Sequence, residues 1–277
     1  MIVALFCFSL LDALAKELTK YHHPLQVVWA RYFTQTAYAF VIFAPQLTRL
    51  LKTNRMGLQL TRSAFLFLAT MSFFTGLKFM DFAALVAIFE VAPLFITIAA
   101  FVVLGEKVGP RRWFGVAVGL IGAIIIIRPG TDVFTPYALL PVVAAASFAG
   151  YAISTRFLGH DESPWTSFLY TALLGTIASC AIVPFFWTTP ILIHGAMMAG
   201  LGVLGGIGHY LLIRAFTTVE ASFLAPFSYF GLAFASIWGL LFFAEIPDAA
   251  TITGATIIVV AGVYVWYRET FATSAPD

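Results

Sequence analysis

Ten stretches of the chain, each close to twenty residues long, are almost wholly apolar, and short polar connections separate them. They run roughly 2–19, 24–44, 62–79, 83–104, 110–128, 134–155, 165–187, 195–216, 220–243 and 249–268. A helix rises ~1.5 Å per residue, so about twenty apolar residues cross ~30 Å of hydrocarbon. The pattern therefore predicts ten transmembrane helices. The connections carry turn and cap residues, as in Lys20-Tyr-His-His-Pro24, Gly105-Glu-Lys-Val-Gly-Pro110, Arg128-Pro-Gly-Thr-Asp132, His160-Asp-Glu-Ser-Pro164 and Glu245-Ile-Pro-Asp248. Links this short make consecutive helices antiparallel neighbours. One longer polar stretch, about 45–61, reads as a loop or a short surface helix.

Composition supports the same picture. Of 277 residues 61% are hydrophobic and 10% charged, and the mean hydropathy is +0.96. A soluble domain has roughly a quarter of its residues charged, so lipid must cover much of this surface. The first apolar stretch lacks the basic start and small-residue cleavage site of a signal peptide, and Asp12 interrupts it. It is expected to be a transmembrane helix. Because it begins almost at Met1, a start further upstream is also an expectation. A net charge of +2 without a basic run gives no reason to expect a nucleic-acid partner. Cys7 and Cys180 lie in apolar stretches without disulfide or metal-ligand spacing. His22 and His23 lack the carboxylate or Cys partners of a metal site. No metal or cofactor is expected.

Orientation follows from the cations. With the N-terminus inside, ten Lys and Arg residues, Arg49, Lys52, Arg55, Arg62, Arg111 and Arg112 among them, fall on the inner side. Four, Lys16, Lys20, Lys78 and Arg128, fall outside, and Arg31 lies within a helix. Both termini are expected in the cytoplasm, with 270–277 as a tail.

The chain also repeats itself faintly, at an offset of about 140. Lys16 and Pro24 correspond to Arg156 and Pro164, Glu106 to Glu245, and Gly115 to Gly254. The expected units are 1–130 and 134–269, five helices each. An odd helix count turns the second unit over, so the fold class is an all-α integral membrane protein of two inverted five-helix repeats. Inverted repeats suit alternating access.

The segments Pro24-Leu-Gln-Val-Val-Trp-Ala-Arg31, Ala92-Pro93 with Leu104-Gly-Glu106, and Ala221-Ser-Phe-Leu-Ala-Pro226-Phe-Ser-Tyr229 resemble the EamA-type transporters of the drug/metabolite transporter superfamily. So do Phe243-Ala-Glu245-Ile-Pro-Asp, Gly254-Ala and Gly262-Val-Tyr-Val-Trp-Tyr-Arg268. The likeness covers essentially the whole chain. It implies secondary transport of small organic metabolites across a bacterial inner membrane, often outward. Amino acids, nucleosides and vitamins are among the family's substrates. One departure is Ala244, where the family often has Gly before the Glu.

Ionisable groups inside membrane helices cost ~2.5–3.5 kcal/mol each on insertion scales, so each needs a reason. Asp12, Arg31 and Glu90 each lie about seven residues from the outer end of a helix, roughly 10 Å deep. At one level they can form a neutralising cluster around a cavity. Arg31 then binds substrate, and Asp12 or Glu90 takes and releases a proton. The alternative is a static ion pair fastening helices. His209 can line the path or carry protons, or simply pack against Tyr210. Trp29, Tyr151, Ser228 and Tyr229 are candidate lining residues, as are Tyr32 and Tyr170, against the alternative of interfacial anchors. Tyr229 corresponds to Glu90 by repeat and follows Pro226.

Gly115-x-x-x-Gly119 and Gly202-x-x-x-Gly206 suggest close helix packing, and Pro93 and Pro226 suggest kinks. Gly200-Leu-Gly-Val-Leu-Gly205 matches a dinucleotide fingerprint literally but lies within an apolar helix, which excludes it. An intramembrane enzyme finds no H-E-x-x-H or G-x-S-x-G to support it. A pore is disfavoured because channels usually surround their axis with identical subunits. A passive facilitator or uptake carrier stays open, as does a homodimer. The expected partners are a small metabolite and the lipid bilayer.

Overall fold

A computed structural model describes residues 1–105, 109–128, 135–158, 162–218 and 230–271. It is helical throughout, and no strand occurs among the described residues. The helices are α1 (Ile2–Thr19), α2 (Pro24–Phe43), the short α3 (Leu47–Leu50), α4 (Met56–Phe79), α5 (Phe82–Phe89), α6 (Ala92–Leu104) and α7 (Pro110–Ile127). Then come α8 (Leu139–Leu158), α9 (Pro164–Ile182), α10 (Leu192–Thr218), α11 (Phe230–Phe243) and α12 (Ala249–Phe271). Each of the ten apolar stretches thus has its helix, with α5 and α6 sharing the fourth. The first ten residues of the ninth stretch, 220–229, lie outside the described residues, as do Glu106, Lys107, Pro226 and the end of the tail.

Local chemistry sets several boundaries. α2 and α9 begin alike, with His23 and Ser163 accepting from the N–H of Leu25 and Trp165, each at 3.3 Å, and a proline following. The fourth stretch was expected to kink at Pro93. The helix is interrupted as expected: it stops at Phe89, turns through Glu90 and Val91, and restarts with Pro93 in the first turn of α6. The reason is steric: a proline ring clashes with the carbonyl four residues back, here that of Phe89.

Among the described residues six spans are long and apolar enough to cross a membrane by themselves, and α7 and α11 are shorter apolar helices. Missing from the six are α1 and α2. Asp12, Lys16 and Glu17 lie in α1, and Arg31 and several hydroxyl and amide side chains in α2. Their burial compensates: Leu11, Leu18, Val27, Ala30 and Tyr32 lie at the centre of the main core, with Phe74, Phe82, Leu85 and Leu201. Large apolar side chains such as Val41, Ile177, Phe185 and Leu192 face outward. An exterior of this kind suits lipid, in keeping with a multi-pass membrane protein.

The helix pairings form a pattern. α4 packs on α8 as α1 packs on α10, α4 on α9 as α10 on α2, and α6 on α8 as α11 on α1. α2 meets α9, and α7 meets α12. At the α7–α12 seam a Cβ on Gly122 would stand 2.8 Å from the carbonyl oxygen of Gly254, and one on Gly254 2.5 Å from that of Gly122. Among the glycines expected to pack closely, Gly115 faces Val265, Gly119 faces Leu94 and Gly202 faces Thr34, each so near that a methyl group would force its neighbour to shift. Gly206 has no such neighbour.

Connections alternate between two ends of the bundle. At one, the His22 end, the Lys16 ammonium lies 2.8 Å from Glu245 Oε1 and 2.6 Å from the Met80 carbonyl oxygen. Gln26 and Thr188 exchange two hydrogen bonds of 2.7 and 3.0 Å. His22 Nε2 and His194 Nδ1 are 3.0 Å apart, and Arg128 pairs with Asp248. At the other, the Arg55 end, Arg55 donates to the Phe157 carbonyl, Thr53 to Glu162, and Tyr170 to the Leu51 carbonyl.

Candidate functional site

Between these ends a polar seam runs through the apolar core. Arg31, only 9% exposed, projects from α2 and donates from Nη1 to Thr70 Oγ1 of α4 at 3.1 Å. Tyr32, next in sequence, brings its hydroxyl to the same Thr70 oxygen at 3.0 Å and donates to the Leu66 carbonyl. Its ring fits because Gly175 of α9 has no side chain; a Cβ there would collide with it. Arg31 also lies over the Phe74 ring at 5.6 Å.

Asp12 of α1 is the carboxylate that Arg31 acts upon electrostatically. No direct ion pair joins them among the described residues, so each keeps hydrogen-bonding capacity. Among the described residues Arg31 Nε has no partner, nor does Gln35 Oε1 one helical turn along α2. A buried donor and a buried acceptor, both unpaired on one helix face, cost free energy unless something else satisfies them. Gln35 is 3% exposed, and a Cβ at Gly205 of α10 would stand 3.3 Å from its oxygen. His209, one turn beyond, shares Nδ1 with the Gly205 carbonyl at 2.9 Å and packs edge-on against Phe8. It lies within electrostatic range of Arg31 and Arg62.

Glu90 occupies the break between α5 and α6, with its Oε1 3.7 Å from where a Cβ of Gly231 would be. The backbone turn there brings the carboxylate to α11. Tyr151 of α8 accepts from Arg62 Nη2 at 2.7 Å, and its ring lies 4.4 Å from the guanidinium carbon. Trp29 points elsewhere: two residues before Arg31, it takes a different face, donates to Cys180 Sγ at 3.1 Å and packs with Phe33 and Trp187. That is the setting of an interfacial anchor. Ser228 and Tyr229 lie outside the described residues.

Arg62 was expected at the inner surface, counted with the cations near the helix ends. It is 6% exposed, buried between α4, α8 and α9. Nε donates to Thr155 Oγ1 at 2.7 Å, and Nη1 to the Ser167 carbonyl and Thr171 Oγ1, each at 2.9 Å. Every oxygen holding it is neutral, and each comes from α8 or α9. Sequence reasoning missed this because the partners lie far along the chain. Gln35 was detectable, as a polar residue one turn from Arg31 on a membrane helix. Among the described residues no cluster of His, Cys, Asp and Glu is suited to a metal.

An apolar multi-helix bundle enclosing opposed charges and unpaired polar atoms has the makings of a membrane transporter rather than an enzyme. Comparison with known proteins gives the class its family. The sequence matches the EamA-like transporter family over residues 1–128 and again over 135–268, and the chain belongs to that family, within the drug/metabolite transporter superfamily. It is 31% identical to an S-adenosylmethionine uptake transporter of Rickettsia bellii, over 99% of this chain and 94% of the relative. It is 30% identical to a riboflavin transporter of Brucella anthropi, over 86% and 87%. It is 25% identical to the pseudopaline exporter CntI of Pseudomonas aeruginosa, over 94% and 92%. The relatives support a transporter of small metabolites.

Proposed function

We propose that this chain is a secondary active transporter of zwitterionic small organic metabolites, with S-adenosylmethionine as the first substrate to test. Two inverted five-helix repeats, 1–130 and 134–269, alternate access to a site between Asp12 and Arg31. The observation that carries the reading is this buried pair: opposite charges on adjacent helices, not directly bonded, with Arg31 Nε and Gln35 Oε1 unpartnered. An α-amino acid end group presents a carboxylate for Arg31 and an ammonium for Asp12, satisfying both at once. The duplicated family match and the helix pairings that persist when the halves are exchanged support inverted repeats.

In this reading the His22 end faces outward and both termini are cytoplasmic, in the inner membrane of a bacterium; the protein works with or without a second copy. Asp12 or Glu90 takes up a proton on the outer side as the substrate enters and releases it on the inner side, which couples uptake to the inward proton gradient. The direction proposed is uptake, after the relative similar over nearly the full length. The exporter among the relatives favours the reverse direction, as does the family resemblance.

The test is accumulation of labelled S-adenosylmethionine in proteoliposomes with an imposed proton gradient. Uphill accumulation that vanishes in Arg31→Ala supports the proposal. Downhill equilibration alone makes the protein a facilitator. No movement in either direction removes this substrate, and equal transport by Arg31→Ala removes the site.

A further inference from the structure

We infer that Arg62 and Tyr151 form a second anion subsite, nearer the Arg55 end, which receives the substrate carboxylate after Arg31. The inference rests on the transport reading above and extends it to a second step. A buried guanidinium without a counter-charge is costly, and breaking its contacts singly costs more. Among the described residues Arg62 has four acceptors, Thr155 Oγ1, the Ser167 carbonyl, Thr171 Oγ1 and Tyr151 Oη, and all are neutral. No carboxylate pairs with it among the described residues. The shell solvates the cation but does not neutralise it, leaving a positive potential inside the core.

The shell is also divided between the halves of the chain. Arg62 belongs to α4, whereas its acceptors belong to α8 and α9. Separation of α4 from α8 and α9 would strip several hydrogen bonds from the cation together. A carboxylate entering the opening replaces them with a charged, bidentate pair. Tyr151, with its hydroxyl already turned to Nη2, then donates to the second carboxylate oxygen.

Hydroxyl groups lie between the two guanidiniums. Arg62 and Thr70 lie eight residues apart on α4, about 12 Å along its axis. Between them Ser63 Oγ meets Thr171 Oγ1 at 3.4 Å, and Tyr32 meets Thr70. A carboxylate released by Arg31 passes hydroxyl groups before reaching Arg62. A static fastener needs no such neutral shell; a carboxylate partner would serve it better.

Two measurements test this. First, in a background with Cys7 and Cys180 replaced by serine, Thr155→Cys is exposed to an impermeant thiol reagent from each membrane face in turn. Labelling from the Arg55 end, slowed by saturating S-adenosylmethionine, is expected. No labelling from that end overturns the subsite, whatever the substrate. Second, binding of S-adenosylmethionine is compared with binding of 5′-methylthioadenosine, which lacks the amino-acid group, in wild type, Arg62→Gln and Arg62→Lys. The expected result is a roughly tenfold or greater loss for S-adenosylmethionine only in Arg62→Gln, the scale of a charged hydrogen bond, with partial recovery in Arg62→Lys. Equal losses for both ligands, or no loss, return Arg62 to a packing role. If wild type binds neither ligand, the substrate proposed above fails, and labelling alone decides the subsite.

Discussion

Lys16 of α1 and Glu245, beyond the end of α11, lie 2.8 Å apart at the His22 end, with side chains only 8% and 20% exposed. The second carboxylate oxygen accepts from the Phe82 N–H at 2.8 Å, and the ammonium also donates to the Met80 carbonyl. One ion pair thus ties α1, the α4–α5 turn and the α11–α12 connection together. The first two belong to the first half of the chain and the last to the second.

Removing one partner leaves the other poorly solvated. Lys16→Met is expected to lower stability by about 2–3 kcal/mol, read as thermal unfolding in nanodiscs, and the exchange Lys16→Glu with Glu245→Lys to recover part of it. A loss below about 0.5 kcal/mol would make the pair an exposed contact of little weight.

The residue before Glu245 carries strain. Ala244 has φ 53°, and Gly105, its counterpart in the first half, has φ 66°. Left-handed backbone costs a residue with a Cβ about 1–2 kcal/mol, and glycine little. Ala244→Gly should therefore stabilise by about 0.5–1 kcal/mol once the entropy of glycine is subtracted. Gly105→Ala should destabilise by a like amount, since among the described residues no atom within 4 Å obstructs a methyl group there. Unfolding temperatures of the two variants moving in the same direction would refute this account.

The paired imidazoles at the His22 end predict a pH response. Burial, with His194 beside it, holds His22 below the ordinary histidine range, and burial with Lys78 nearby does the same to His23. A lowered folded-state pKa favours the neutral ring. This contribution is therefore complete above about pH 6.5 and is lost as pH falls below it, through the folded-state values. The unfolding temperature should drop in that window, and less so in His22→Gln. Asp248 behaves differently. The Arg128 hydrogen bond, then Thr251, holds it down to about 2, so its contribution fades only between about pH 4 and 2. A change in transport between pH 5 and 8 should survive Asp248→Asn.

Coupling and binding should separate by residue. Glu90→Gln is expected to abolish uphill, proton-driven transport yet preserve exchange of substrate for substrate. Arg31→Ala should weaken binding tenfold or more, the scale of a charged hydrogen bond. Full uphill transport by Glu90→Gln would free Glu90 of that role, and Asp12→Asn would then be the variant to measure.

The helices were legible because lipid writes a simple rule: twenty apolar residues, then a turn. Proline and glycine at the connections sharpened it, as His23-Pro24 and Ser163-Pro164 show. Pro93 marked the interruption of the fourth stretch, and because a proline acts on the carbonyl four residues earlier the turn itself falls at Glu90 and Val91. The seam was harder to read. Thr70 is 39 residues from Arg31, and Thr155 93 from Arg62; neither distance leaves a local mark. Arg62 counts among the inner-side cations in the sequence, which gives its side of the bundle but not its burial, because its partners lie far along the chain. Asp12 and Arg31 stood out only because charges are so rare in these helices. Sequence patterns find such charges, but they cannot say which of them touch.

Gly122 and Gly254 have a different bearing. Each backbone lies so close to the other's carbonyl oxygen that a Cβ on either would collide with it, which leaves little slack for one helix to slide past its neighbour. α7 and α12 are therefore expected to move together, as one rod. Neither residue can drift to alanine independently, and a methyl group on either would push the whole rod aside and misalign everything mounted on it. A defect made there, among residues that touch no solute, should slow the machine as surely as one made at its centre.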